Sequence, residues 1–309
     1  VENRWINLYL APQQGGVITE IDYRPAAYCL TNLIARRREG YHREIKERLA
    51  RAEEKARAEG GPPPSIHDRQ RPVSAELAEK LVEDRVPRWN LTDRFPAPGV
   101  TLQELVRGDY REEGDFVGAP YRVEQARIDE EGDCDFEILM LRRGNIRRDG
   151  KSWPLLLEKH LSVPADSAEV RVRYRLQNLA QEALELQFSP EFDFCLLAPQ
   201  AEDRVYEYPA AADGPHYMNS SALVEGVKWF ALADYSRGVR LRLEFDRPAD
   251  VWRFPIETVS QSEEGFELNH QGSAVLPRFR LQLAAGENAS LQIALLLEST
   301  TQGKSRRRS

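Results

Sequence analysis

Cysteine is scarce in this sequence: Cys29, Cys134 and Cys195 are the only three, far apart and with no CxxC pair. That excludes a disulfide framework and a cysteine-built zinc site, and it points to a reducing, cytoplasmic compartment. Histidine is sparse too, and His42, His67, His160, His216 and His270 never fall at the spacings that ligate zinc. No apolar run approaches the roughly 18 residues that cross a membrane as a helix. A G-x-S-x-G elbow, a P-loop and a G-x-G-x-x-G loop are all missing, so serine-hydrolase and phosphate-cradle chemistry lack their local signatures. Positive charge is in deficit: 43 Lys and Arg stand against 50 Asp and Glu, for a net charge of -7, which argues against nucleic acid as the main partner.

What the chain does have is enough apolar material for a large core, 41% hydrophobic and 9% aromatic over 309 residues. Short β-branched and aromatic runs, "WINLYL", "GGVITEIDY" and "AYCLTNLI", predict three strands at the start. From His42 the pattern changes. "REIKERLARAEEKARAE" places Glu44/Arg48, Glu47/Arg51 and Glu53/Arg57 at helical i,i+4 spacing, with an apolar stripe of only Ile45 and Leu49. "GGPPP" at 60–64 stops it, and "AELAEKLVED" predicts a second helix that Ser74 caps and Pro87 closes. Residues 43–88 therefore read as a charged, mostly solvated helical insertion.

Beyond residue 121 strand follows strand. "EVRVRYRLQN" sets Val170, Val172, Tyr174 and Leu176 on one face and Arg171, Arg173 and Arg175 on the other. "GVRLRLEFD" does the same with Val239, Leu241, Leu243 and Phe245 inward. The turn at 286–288 predicts a C-terminal hairpin in which Phe279, Leu281 and Leu283 face Leu291, Ile293 and Leu295. The expected fold is mainly β: one large antiparallel β-sandwich over 1–299, the insertion included, with a basic, disordered tail at 300–309.

Candidate chemistry concentrates in three places. In "SPEFDF", Glu191 and Asp193 share one face of a strand, the arrangement for acid and base work on a sugar. "VWRFPIETVSQS" offers Trp252, Glu257 and Gln261, a flat ring with planar hydrogen-bonding groups suited to carbohydrate. "GDYREEGDFVGAPY", 108–121, clusters Asp109, Glu112, Glu113 and Asp115; it fails as an EF-hand loop, because Arg111 and Pro120 occupy ligand positions, but Asp109 and Asp115 could anchor a looser calcium cage. Otherwise the reading has these carboxylates capping backbone amides, with Gly108, Gly114 and Gly118 supplying turns.

The stretches "GGVITEIDYRPAAYCLTNLIARRREGYH", "LTDRF", "GDYREEGDFVGAPY", "SPEFDF" and "WRFPIETVSQSEEGFE", taken in order, resemble the C-terminal region of glycoside hydrolase family 57 α-amylases and 4-α-glucanotransferases. The resemblance implies a galactose mutarotase-like supersandwich that follows an N-terminal catalytic (β/α)7 barrel. This chain has no strand-helix alternation to build such a barrel, so no catalytic residue of the family transfers to it. Its opening on Val1 rather than methionine fits a piece of a longer polypeptide. The expected role is a noncatalytic domain that supports the barrel and contacts α-glucan or maltooligosaccharide through Glu191, Asp193, Trp252, Glu257 and Gln261, with no cofactor required and a homodimer left open. Two rival readings are a free-standing carbohydrate-binding module and a mutarotase-like epimerase using His160 with Glu191.

Overall fold

The computed structural model describes residues 1–57, 75–128, 136–209, 216–262 and 265–300. Cys134, the "GGPPP" stop, Ser74, the Glu53/Arg57 pair, the side chain of Leu49 and the tail from 301 onward lie outside what is described. The three opening strands form as expected: β1 (Ile6–Ala11), β2 (Val17–Tyr23) and the short β3 (Tyr28–Cys29) make a small antiparallel sheet. The remaining strands are β4 (Thr92–Arg94), β5 (Arg122–Ile128), β6 (Phe136–Arg148), β7 (Lys151–Val163), β8 (Glu169–Asn178), β9 (Leu184–Phe194), β10 (Arg204–Glu207), β11 (His216–Tyr217), β12 (Ala222–Asp234), β13 (Val239–Ser262), β14 (Gly265–Leu283) and β15 (Asn288–Ser299).

These strands form one sheet that folds back on itself at β13. The first part of β13, Val239 to Phe245, pairs with β15, and through it the sheet runs on to β8, β7, β6 and the edge strand β5. The later part, from Asp250, pairs instead with β14, which leads to β9 and β4. Every pairing is antiparallel. Alternation decides which side chains fill the space between the two halves: Val170, Val172, Tyr174 and Leu176 on β8 and Val239, Leu241, Leu243 and Phe245 on β13 are all buried in one core cluster. Phe245 meets Phe279 of β14 edge to face across that core, ring centroids 6.2 Å apart.

The expected C-terminal hairpin does not form. Phe279, Leu281 and Leu283 lie opposite Phe188, Leu186 and Leu184 on β9, while Leu291, Ile293 and Leu295 lie opposite Tyr174, Val172 and Val170 on β8. The turn at 284–287 thus carries the chain from one half of the sandwich to the other. Both rows of apolar residues still face the same core, and that is all their alternation had specified.

The outer face of the β9–β14–β13 half carries a second layer. α3 (Leu102–Arg107) starts in a capping box, Thr101 with Glu104, and lays Leu105 on a cluster of Trp252, Phe254, Ile256, Ala274 and Leu276. The insertion is less solvated than its charge suggested. α1 (Gly40–Arg57) shows the expected Glu44–Arg48 pair, yet Ile45 is fully buried, and the Tyr41 hydroxyl donates to Val259 O at 2.9 Å. α2 (Ala75–Glu79) ends five residues before the expected Asp84. Asp84 is instead drawn to Arg36: the Arg36 amide donates to its carboxylate at 2.8 Å, and the guanidinium pairs with it at 2.7 Å. A buried ion pair outweighs the helical propensity of "KLVED".

Two glycines of the predicted turns, Gly108 and Gly118, do take left-handed φ. Gly114 does not; a Cβ there would stand 2.5 Å from the Phe95 ring, so close packing is its reason. The same logic is stricter at Gly272, where a Cβ would meet Phe194 O at 2.2 Å. Gly272→Ala is expected to destabilise by about 1–3 kcal/mol. Gly40, with open space around it, serves as control: in urea unfolding Gly40→Ala should leave the midpoint near that of the parent while Gly272→Ala lowers it.

Candidate functional site

The motif stretches that are scattered in sequence meet at one place. β4 of "LTDRF" pairs along β9 of "SPEFDF", with Thr92 opposite Glu191 and Arg94 opposite Ser189. Asn90 locks this join from both sides: its amide donates to Asp193 O at 3.0 Å and its carbonyl accepts from Asp193 N at 3.1 Å. "GDYREEGDFVGAPY" then closes over it. Glu112 accepts from the amides of Phe95 (2.6 Å) and Gly114 (3.3 Å), and the Tyr121 hydroxyl donates to Asp93 at 2.5 Å.

β9 shows why alternation misleads here. From Leu186 to Phe194 every residue is buried, because the even side chains face the core and the odd ones face the added layer. Glu191 and Asp193 do share a face, as the sequence implies, but it is the covered one. Glu191 accepts from Arg88 at 2.6 Å and from Arg94 Nε. Arg88 also pairs with Asp84 at 2.6 Å, and Arg94 donates to the Tyr110 hydroxyl oxygen at 2.8 Å. Burial alone would raise the Asp84 carboxyl, yet Arg36 and Arg88 hold it down at about 2. Asp193 goes the other way. Desolvation and then the Glu191 charge push it well above the usual range, and Arg88 stays 3.8 Å distant.

Two cavities open in this layer. One of about 130 Å³ is lined by Arg88, Arg94, Tyr110, Glu112, Glu191 and Phe254. The other, about 170 Å³, lies among Tyr41, His42, Lys80, Glu257 and Ser260. The Arg36–Asp84 pair separates them, one partner lining each.

Of the residues singled out from sequence, Glu191 and Glu257 each line a cavity, and Lys80 holds Glu257 at 2.6 Å. Gln261 is exposed near the end of β13. Trp252 is 1% exposed, with Arg278 stacked 3.8 Å over its ring, so it is a packing residue with no face for a sugar. His160 and Glu191 occupy the outer faces of opposite halves of the sandwich and cannot act together. Arg88, Arg94, Asp84 and Tyr110 went unselected, since in sequence nothing separates a buried arginine from the many solvated ones.

In the carboxylate cluster at 108–121, Glu113 pairs with Arg148 at 2.8 and 2.7 Å, and Asp115 accepts from the Asn145 amide at 2.9 Å. Neither caps its own turn; both reach across to β6. Asp115 is further engaged by Arg147 at 3.1 Å. Among the described residues no three His, Cys, Asp or Glu side chains gather as a metal would need.

Glu112 carries a pH dependence. Desolvation raises its carboxyl from 4.5 to about 7, against the lowering effects of Arg94 and the two amides. Between those values the folded chain keeps a proton that the unfolded chain has released. Its contribution is therefore fully present below about 4.5 and lost as pH rises through about 7. Glu112→Gln should remove that loss, gaining about 2 kcal/mol over the parent at pH 8 after allowance for partial exposure. Thermal unfolding of both chains from pH 5 to 8 checks it: the two midpoints should diverge with rising pH.

The folded-back sheet is that of the galactose mutarotase-like sandwiches. A galactose mutarotase-like protein from Clostridium acetobutylicum superposes with a TM-score of 0.53 at 10% identity, over 95% of this chain and 93% of that one. The 4-α-glucanotransferase of Thermococcus litoralis superposes more closely, TM-score 0.69 at 22% identity, over 96% of this chain but 36% of that one. In sequence, residues 1–293 match the family described as alpha-amylase/4-alpha-glucanotransferase, C-terminal, and the chain belongs to that family. Alpha-amylase 1 of Dictyoglomus thermophilum is 30% identical over 93% of this chain and 38% of its own length. The T. litoralis 4-α-glucanotransferase is 29% identical over 91% and 37%. The chain thus spans little more than a third of the relatives it matches.

Proposed function

We propose that this chain works as the noncatalytic C-terminal sandwich of an α-1,4-glucan-processing enzyme, beside a catalytic (β/α)7 barrel in the same polypeptide. The observation that carries this reading is the fate of the paired carboxylates. A retaining glycosidase needs two carboxyls about 5–5.5 Å apart across an open cleft. Glu191 is held by Arg88 and Arg94, and Asp193 is 1% exposed. Neither can reach a glycosidic oxygen. The names of the larger relatives, α-amylase and 4-α-glucanotransferase, support the choice of substrate class.

Direct contact with glucan falls to the groove at Glu257 and Ser260, next to exposed Gln261, because Trp252 and Asp193 offer no accessible surface. Incubated with maltoheptaose, the chain should leave the oligosaccharide distribution unchanged. New shorter or longer products would overturn the noncatalytic reading. Anomer interconversion of glucose or galactose followed by polarimetry should likewise run at the uncatalysed rate.

A further inference from the structure

A third cavity, about 420 Å³ and larger than the two in this layer, lies far from them, on the outer face of the other half of the sandwich. It is built from one side of β5, β6, β7 and β8, with Ser290 of β15 at its rim. Strand register sorts its side chains into rows. One row runs Gln125, Leu139, His160, Arg173, Gln292, each opposite the next. The neighbouring rows contain the acids: Glu137, which accepts from Arg127 at 2.8 Å, and Glu158, which accepts from Arg175 at 3.0 Å.

The middle row has no acid at all. The Arg173 guanidinium has no hydrogen-bond or ion-pair partner among the described residues, while those of its strand neighbours Arg171 and Arg175 are both paired. His160, directly across from it, reaches only Glu137, and at 3.8 Å that is too long for a hydrogen bond. Two groups able to carry positive charge thus face each other, and the carboxylate near them, Glu137 at 3.8 Å from His160, is already hydrogen-bonded to Arg127. Three guanidinium groups line the cavity against two carboxylates, both of which are already engaged.

We propose that this face binds a phosphate-type oxyanion between Arg173 and His160. A guanidinium fork matches a tetrahedral oxyanion, and an imidazole adds one further donor. Gln125, Glu158 and Ser290 surround the position with neutral and acidic groups that suit hydroxyls, so the phosphate of a sugar phosphate fits as well as the free ion. The cavity is within the size range of small-molecule clefts. The site is independent of the Glu191 layer and of the role proposed for it.

Proton NMR of the imidazole Cε1–H signals tests this, with the His160 signal assigned by its loss in His160→Gln. Inorganic phosphate, glucose 1-phosphate and glucose are titrated separately at low ionic strength. Phosphate and glucose 1-phosphate should shift His160 saturably while His42 and His270 stay still, and Arg173→Gln should weaken both by about tenfold or more. Tighter binding of glucose 1-phosphate would identify a sugar phosphate, and equal binding the oxyanion alone; both uphold the site. An Arg173→Gln chain that titrates like the parent, a common drift of all histidines, no shift at all, or an equal response to glucose would overturn it.

Discussion

Lys159→Ala is expected to destabilise the chain by about 3–5 kcal/mol, the range for removing one partner of a buried ion pair. Lys159 points from β7 into the core, fully buried, where its ammonium meets Asp93 at 2.8 Å. It also donates to the carbonyl oxygens of Leu91 (2.8 Å), Gly16 (3.0 Å) and Gly15 (3.3 Å). One side chain thereby ties the β1–β2 connection and the start of "LTDRF" to the middle of the large sheet. Desolvation pulls the Lys159 amine down and the Asp93 carboxyl up, and each partner opposes the shift in the other.

Removing the lysine leaves Asp93 buried with no cation beside it, facing the Tyr121 and Tyr174 hydroxyls, and takes the ammonium from three carbonyl groups. The paired change Lys159→Met with Asp93→Asn should recover part of the loss, because it leaves no lone charge in the core. Urea unfolding of Lys159→Met, Asp93→Asn and the double measures the coupling. A Lys159→Ala chain as stable as its parent would remove the pin from the account.

How much of this was readable beforehand differs by element. Alternation at Val170–Leu176 and Val239–Phe245 sufficed to place those residues inward, since period 2 follows from backbone geometry alone. It could not say which sheet half Phe279 and Leu291 would join, because a turn of the same length serves a hairpin or a crossing between halves. β9 was harder. Once both faces of a strand are covered, a carboxylate such as Glu191 stands where solvent exposure would be assumed, and only its partners, distant in sequence, explain it. Arg88 lies 103 residues from Glu191 and Arg94 lies 97. Lys159 shares its face with Leu157 and Leu161, so alternation points it inward, but nothing local names the partner, Asp93, that makes a lysine tolerable there. The family resemblance succeeded where pattern failed, since its motifs are the segments that interlock at the β4–β9 join.

Glu191→Gln bears on the central claim, that the buried carboxylates at the β4–β9 join hold the domain together. Gln keeps the size and one acceptor but presents an amide donor where Arg88 or Arg94 now finds a carboxylate oxygen. Arg88 retains Asp84 at 2.6 Å, whereas Arg94 is left with the Tyr110 hydroxyl and a more distant Glu112. A buried guanidinium short of its counter-charge costs about 3–5 kcal/mol. Asp193, kept protonated in part by the Glu191 charge, should then ionise more readily and soften the loss at higher pH. The decisive measurement is urea unfolding of the parent and Glu191→Gln chains at pH 7: an unfolding free energy lowered by that much is the predicted result, and an unchanged one would contradict the claim.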